Sequence, residues 1–150
     1  MCPRILPIYL YFLRCLLHYR GINRHWHADH VGGNLALAQA FPGLEIVGPL
    51  KERPKIPGLT TAVSGGDGFE WGAGRRVEVI DVGGHTLGHV AYHFPGDGAV
   101  FVGDSLFALG CGRLFEGTPE QVSLSYASRI TSIFFLVCSR AILFLAFRAF

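Results

Sequence analysis

Three histidines and an aspartate lie within six residues in the segment His25-Trp26-His27-Ala28-Asp29-His30. Imidazole nitrogens and carboxylate oxygens are ligands that Zn²⁺ and related first-row metal ions prefer. In an extended segment, residues i and i+2 point to the same side, so His25 and His27 can bind one ion. Asp29 and His30 lie beyond them, where two glycines allow the chain to turn, and they can face a second ion. The segment therefore predicts a metal centre rather than a histidine-rich surface loop.

Two later positions extend the set of candidate ligands. His85 follows a predicted strand and two glycines, which would let its loop approach a metal ion closely. Asp104 comes after the apolar run 99–102, which predicts a buried strand with the carboxylate near its end. A carboxylate has two oxygens, so Asp104 can offer one to each of two ions about 3.5–4 Å apart. His89 is interpreted as a structural residue, hydrogen-bonded beneath the site.

The remaining pattern predicts the elements that must position these ligands. Residues 34–40 are rich in good helix formers, and Thr118-Pro119-Glu120-Gln121 is typical of a helix start. Predicted strands lie at 44–47, 69–71, 76–82, 89–94 and 99–102. The stretch 49–75 is rich in Pro and Gly and predicts mostly loop, with Lys51, Arg53 and Lys55 on a solvated surface. Strands with interspersed helices favour an α/β or α+β layered fold.

Composition narrows the class of protein. The chain has 150 residues, 50% of them hydrophobic, and a net charge of +2, which is enough for one domain with a real core. Basic residues form no stripe with interleaved aromatics, so no nucleic-acid partner is expected. The four cysteines form no C-x-x-C pair, which argues against a disulfide scaffold.

The two ends differ in character from the middle. We predict a divergent N-terminal segment at 1–24, a domain at 25–121 and a divergent apolar segment at 122–150. A signal peptide is not the favoured interpretation of the short apolar run near the start. Membrane contact through 130–150 is not favoured either, because Arg140 lies in its middle, and a central Arg costs about 2.5–3.5 kcal/mol on insertion scales.

The motifs resemble those of a known family. The HxHxDH segment resembles the signature of the metallo-β-lactamase fold, and residues 25–34 resemble its glyoxalase II (hydroxyacylglutathione hydrolase) branch. Residues 84–89 are similar to that branch's GHTxGH motif, and 101–112 are similar to its F-x-GD-[ST]-LF-x-x-GCG motif. The resemblance covers about 25–121 and implies an α/β (α+β layered) fold, a partial metallo-β-lactamase αββα sandwich.

The resemblance also implies a role for each candidate residue. His25, His27 and His85 would hold a first Zn²⁺, Asp29 and His30 a second, and Asp104 would bridge the two ions. Iron and manganese are alternatives to zinc. In the segment 110–117, Arg113 would offer a cation to a glutathione carboxylate. Phe115 would pack beside the substrate without the phenol found in some members.

The implied activity is thioester hydrolysis, in which S-lactoylglutathione gives lactate and glutathione during methylglyoxal detoxification. Two Zn²⁺ ions would lower the pKa of a bridging water, and Asp29 would orient the resulting hydroxide. The implied location is the cytosol or the mitochondrion.

The chain departs from the family pattern at several positions. Arg24 stands where members usually carry Thr, and no Gly-His-Glu-Tyr motif, which supplies a second-metal histidine, follows Gln121. We therefore expect an internal piece of such an enzyme, with foreign sequence at both ends and weaker binding of the second ion. Two alternatives stay open: a catalytically inactive fragment that binds at most one metal ion, and a mononuclear iron persulfide dioxygenase of the same fold. The segment 110–117 argues against the dioxygenase.

Overall fold

The structure is a computed structural model, and it describes residues 20–72, 74–107 and 110–125. The strands in this part of the chain are β1 (Arg20–Ile22), β2 (Glu45–Pro49), β3 (Thr61–Val63), β4 (Gly68–Trp71), β5 (Arg75–Asp81), β6 (Val90–Phe94) and β7 (Ala99–Phe101). The helices are α1 (Ala28–Val31), α2 (Asn34–Ala40) and α3 (Pro119–Ser125), and 3₁₀ turns span Leu50–Lys55 and Gly103–Ser105.

The strands form two sheets. Strands β1, β2 and β3 are parallel neighbours in that order, and β4, β5, β6 and β7 form an antiparallel sheet in chain order. Because the carboxyl ends of parallel strands meet at one edge of a sheet, the segments that follow β1 and β2 emerge side by side. The segment with the first candidate ligands follows β1, and the first 3₁₀ turn follows β2.

The main core lies between the two sheets. Val47 and Val63 of the parallel sheet pack with Val77, Val79 and Tyr92 of the antiparallel sheet in one buried cluster. Strand β6 is buried along its whole length, since it lies inside the antiparallel sheet. Val82 and Ala91 form a smaller buried cluster, and partly buried apolar side chains pack against it. Burial of these faces is the dominant favourable term that holds the loops in place.

Most predicted elements are confirmed. Helix α2 and strands β2, β4, β5 and β6 lie within a residue or two of the predicted bounds. The predicted helix start is present at α3: the Thr118 N–H donates to Gln121 Oε1 (2.9 Å), and the Gln121 N–H donates to Thr118 Oγ1 (3.4 Å). This is a reciprocal capping box. The α/β layered class is confirmed as well.

Two predictions about strands were wrong. Strand β3 lies in the stretch predicted to be mostly loop, because a strand of three residues is too short to show a period of two. The run at 99–102 does not form a buried strand. Strand β7 is the last strand of its sheet, and Phe101 is 47% exposed, so this apolar run forms a partly exposed edge strand.

The predicted domain limits stay predictions. Most of the segments 1–24 and 122–150 lies outside the described residues, including the apolar runs at both ends. Strand β1 begins at Arg20, before the predicted start of the domain, and it pairs with β2. In the described part of the chain, no helix combines the length and apolar character needed to cross a bilayer.

Tyr92 links the antiparallel sheet to the segment that leads into the candidate ligands. Its side chain is fully buried, and its hydroxyl donates to the Asn23 carbonyl oxygen at 2.8 Å. Tyr92→Phe should lower the free energy of unfolding by about 1–2 kcal/mol, because a buried carbonyl loses its donor. Urea denaturation measures the loss. Removal of an exposed hydroxyl, in Ser123→Ala, should change it by less than about 0.5 kcal/mol, and equal effects of both variants would contradict the prediction.

Candidate metal centre

Three imidazoles from two loops converge at one point. His25 and His27 follow β1, and His85 lies between β5 and β6. His27 Nδ1 is 3.0 Å from His25 Nε2 and 2.9 Å from His85 Nε2. The three ligand atoms lie within 4.8 Å of one another. Three ring nitrogens at this spacing fit the ligand set of one tetrahedral metal ion with an open fourth position.

The turn Gly103–Ser105 places Asp104 beside this group. Asp104 Oδ2 is 3.3 Å from His85 Nε2, and Asp104 Oδ1 is 3.3 Å from His30 Nε2. One carboxylate oxygen therefore faces each histidine. His25, His30 and Asp104 form a second compact group whose ligand atoms lie within 4.8 Å of one another. The loops thus bring together five of the six predicted ligands, from three separate parts of the sequence.

Asp29, the sixth predicted ligand, lies at the rim. Its side chain is 77% exposed, and its Oδ2 is 3.4 Å from His30 Nε2. It belongs to neither of the two compact groups found among the described residues. Its position beside His30 and open to solvent suits a carboxylate that meets an incoming water or substrate.

Burial keeps the central histidines neutral. Desolvation, followed by the influence of the neighbouring imidazoles, lowers the pKa of His25 to about 2. Desolvation and the His85 ring also lower the pKa of His27. Neutral imidazole is the form that ligates a metal ion. Among the described residues, the buried His25 Nδ1 has no hydrogen-bond partner, and His25 Nε2 is the atom that faces His27.

A backbone contact fixes the tautomer of His85. Its Nδ1 lies 2.6 Å from the carbonyl oxygen of Arg113. Because a carbonyl oxygen only accepts, Nδ1 carries a proton, and in the neutral ring the lone pair is on Nε2. That lone pair faces His27 and Asp104. Such outer contacts orient metal-ligating histidines in general, so the Arg113 carbonyl prepares His85 as a ligand.

His89 packs beneath the centre as a neutral ring. It is fully buried, its centroid is 4.6 Å from that of His25, and burial chiefly lowers its pKa to about 3. Within the described ranges, neither of its ring nitrogens has a hydrogen-bond partner. The structural role predicted for His89 thus rests on packing here, without the expected hydrogen bond.

Glu52 is a buried carboxylate that sequence reasoning missed. It lies in the turn after β2 and is 3% exposed. Its Oε1 accepts a hydrogen bond from Thr86 Oγ1 (2.5 Å) and another from the Gly88 N–H (3.0 Å). Thr86 directly follows His85, so Glu52 holds the His85 loop from behind. Burial raises the pKa of Glu52. The only sequence signal was one acidic residue within a basic stretch.

Glu116 joins three segments around the centre. Its Oε1 accepts from Trp26 Nε1 (3.2 Å) and Lys55 Nζ (2.8 Å), and its Oε2 accepts from the Leu87 N–H (3.0 Å). The Lys55 ammonium also lies 4.5 Å from the centroid of the Trp26 ring. Lys55 is therefore an ion-paired residue rather than a freely solvated charge. Its hydrogen bond, with that of Leu87, holds the pKa of the Glu116 carboxyl below its usual range.

Arg113 and Phe115 form an exposed face next to the histidines. The Phe115 ring centroid is 5.0 Å from that of His27, and the side chain is 59% exposed. Arg113 Cζ lies 5.5 Å from the Phe115 centroid. The structure therefore brings an aromatic surface and a cation to the mouth of the centre, where the sequence predicted substrate contacts.

Residues 22–130 match the family model described as the metallo-beta-lactamase superfamily. The match covers more than half of the chain, and the chain belongs to this superfamily. Among curated relatives, it is 58% identical over 100 residues to a hydroxyacylglutathione hydrolase of Hyphomonas neptunium, covering 67% of this chain and 38% of the relative. A hydroxyacylglutathione hydrolase of Rhizobium meliloti is 52% identical over 101 residues, covering 67% and 39%. The chain thus spans about two fifths of the length of these relatives.

Solved structures share the fold. ETHE1 from Myxococcus xanthus superposes with a TM-score of 0.67 at 24% identity, covering 86% of this chain and 54% of that chain. The BLEG-1 B3 metallo-beta-lactamase gives a TM-score of 0.69 at 20% identity, covering 87% and 71%. The predicted metallo-β-lactamase fold is therefore confirmed. At this level of sequence identity, the two structures show only that the fold is shared.

Glu52 should act as a positioning residue for His85. Glu52→Ala removes the acceptor for Thr86 and Gly88, so the His85 loop loses its support, and we expect Zn²⁺ to bind about tenfold more weakly. Glu52→Gln keeps an Oε1 acceptor and should lose much less. Competition with a chromophoric chelator measures the affinity. Equal affinities of the two variants would contradict a positioning role.

The Glu116 contacts should give a pH-dependent contribution to stability. A carboxyl whose pKa is lower in the folded than in the unfolded state stabilises the fold above its unfolded pKa, about 4.3. The contribution is lost as the pH falls through the folded pKa. The wild-type Tm should therefore exceed that of Glu116→Gln at pH 6, and the difference should shrink below about pH 4. Thermal unfolding followed by circular dichroism at several pH values tests this, and a difference independent of pH would refute it.

Proposed function

We propose that this chain carries the metal-binding core of a thioester hydrolase of the hydroxyacylglutathione hydrolase type. Its substrate would be a glutathione thioester such as S-lactoylglutathione, an intermediate of methylglyoxal detoxification. The observation that carries the proposal is the 58% identity over 100 residues to a curated enzyme of that name. The convergence of His25, His27 and His85 on one point supports it, because a metal ion bound there could activate water for hydrolysis.

The reaction adds water across the carbon–sulfur bond of the thioester. The water oxygen forms a bond to the acyl carbon, the carbon–sulfur bond breaks, and a proton passes to the sulfur. The products are lactate and glutathione. No oxidant or further cofactor is needed for this balance.

The metal would be bound by His25, His27 and His85, and zinc is the proposed ion, with iron and manganese as alternatives that the same donors accept. When bound, such an ion polarises a carbonyl oxygen and makes water more acidic. Asp29 would orient the attacking water and take up its proton, since its exposed carboxylate lies at the rim beside His30. Asp104 would be a further ligand, since one of its oxygens lies on the side of His85 and the other on the side of His30.

Arg113 and Phe115 would hold the glutathione part of the substrate. A guanidinium binds a carboxylate through paired hydrogen bonds, and the neighbouring aromatic ring offers an apolar surface. We further propose that the functional domain is 25–121 and that the protein acts in the cytosol or the mitochondrion. These assignments follow from the resemblance to the enzyme family.

The Zn²⁺-loaded chain should hydrolyse S-lactoylglutathione, which is measured by the loss of thioester absorbance. His85→Ala should lower kcat/KM at least about 100-fold and reduce the zinc content, because a ligand and its outer contact are both lost. Arg113→Ala is the matched control. It keeps the backbone carbonyl that positions His85, so it should keep the metal and raise KM about tenfold.

Two other outcomes would replace this proposal. A chain that binds zinc but leaves the thioester intact would be the catalytically inactive metal-binding fragment. Oxygen consumption with glutathione persulfide by the iron-loaded chain, without thioesterase activity, would identify a persulfide dioxygenase.

A further inference from the structure

Arg24 places a permanent cation against one of the candidate ligands. Its Nη2 lies 3.1 Å from His30 Nδ1. A guanidinium has only donors and stays protonated in proteins. His30 Nδ1 must therefore accept this hydrogen bond, and the neutral ring carries its proton on Nε2.

His85 shows the opposite arrangement in the same pocket. Its Nδ1 faces a carbonyl oxygen, which only accepts, so Nδ1 carries a proton, and the neutral form of the ring has its lone pair on Nε2. The partner at Nδ1 thus differs in kind between the two rings: an acceptor at His85 and a donor at His30. One ring presents a lone pair to the centre, and the other presents an N–H.

His30 Nε2 lies 3.3 Å from Asp104 Oδ1 and 3.4 Å from Asp29 Oδ2, so acceptors are available for its proton. Asp104 also lies 3.3 Å from His85 Nε2, so the partner at Nδ1 is what distinguishes the two rings. A metal ion at Nε2 would have to displace this proton, break the contact with Arg24 and sit near its guanidinium. Each of these changes disfavours a second cation.

The two candidate groups also compete for one ligand. Both contain His25, and a neutral imidazole has a single lone pair. An ion bound by His25, His27 and His85 leaves the second position with His30, Asp104 and the exposed Asp29. Among the described residues, the second position therefore keeps one histidine and two carboxylates, one of them exposed, and the Arg24 guanidinium lies beside its histidine.

We propose that Arg24 holds His30 in the tautomer that cannot bind a metal through Nε2, so that this chain binds one metal ion tightly rather than two. The inference rests on the proposed metal centre and specifies its stoichiometry. It assigns Arg24 a role in choosing between a mononuclear and a dinuclear site, and it leaves His30 as a hydrogen-bond donor to Asp29 and Asp104.

The first experiment is a zinc titration of the full 150-residue chain, with elemental analysis after gel filtration. Wild type should hold one zinc per chain, with any second equivalent bound at least tenfold more weakly. Arg24→Gln, which is neutral and offers an acceptor, should raise the content toward two. Arg24→Lys is the matched control: it keeps a cationic group that only donates, and it should stay at one.

A second substitution tests whether His30 is the residue affected. His30→Ala in the wild-type background should leave the zinc content at one. In the Arg24→Gln background, it should return the content from two to one. If the Arg24→Gln/His30→Ala double variant holds as much zinc as the Arg24→Gln single variant, the role given to His30 is contradicted.

Nitrogen-15 NMR of the metal-free wild type reads the tautomer without any substitution, so the inference can be tested even if a variant fails to fold. We expect a protonated Nε2 at His30 and a protonated Nδ1 at His85. Two tightly bound zinc ions in wild type, or a protonated Nδ1 at His30, would overturn the inference and leave the proposed hydrolase intact. Absence of bound zinc would overturn the proposed metal centre, and this inference with it.

Discussion

The structure depends on keeping several imidazoles in contact in a largely buried cluster. Charged rings at this spacing would repel one another and lose their hydration, so the pocket is stable only when the rings are neutral. The low pKa of His25, about 2, expresses this constraint. Each neutral ring then has one N–H and one lone pair, and each needs a suitable neighbour. The chemistry of the site is therefore set by which groups stand behind the histidines.

Those neighbours come from segments that supply no ligand. Glu52 holds the His85 loop by accepting hydrogen bonds from Thr86 and Gly88. Glu116 accepts hydrogen bonds from Trp26, Lys55 and the Leu87 backbone and so connects their three segments. Glu52 is a buried carboxylate and Glu116 a partly buried one. Carboxylates that accept several hydrogen bonds in such positions are costly to leave unpaired, so these contacts resist local rearrangement. The parallel sheet makes them available, because the turn after β2 emerges next to the ligand segment after β1. The sandwich thus acts as a rigid support for three loops.

Single donors and acceptors decide what the loops can bind. A carbonyl behind His85 turns its lone pair toward the centre, whereas a guanidinium behind His30 turns an N–H there. The same residue type therefore serves as a ligand at one position and as a hydrogen-bond donor at the other. For the proposed hydrolysis of a thioester, one ion with an open position, the rim carboxylate of Asp29 and the cation of Arg113 would make a minimal set of catalytic and binding groups.

The sequence by itself determined the ligand types, the α/β class and most element positions, because short-range signals carry them: histidine spacing, alternating apolar residues and a capping box. It also located Asp104 correctly after a strand, although β7 proved to be an edge strand. Only the tertiary structure decided which side chains stand behind the ligands. Glu52 lies 36 residues from Gly88 in the chain and Glu116 lies 90 from Trp26, so no local pattern could connect them. The opposite tautomers of His30 and His85 likewise arise from contacts that exist only after the sheets have packed and the loops have met.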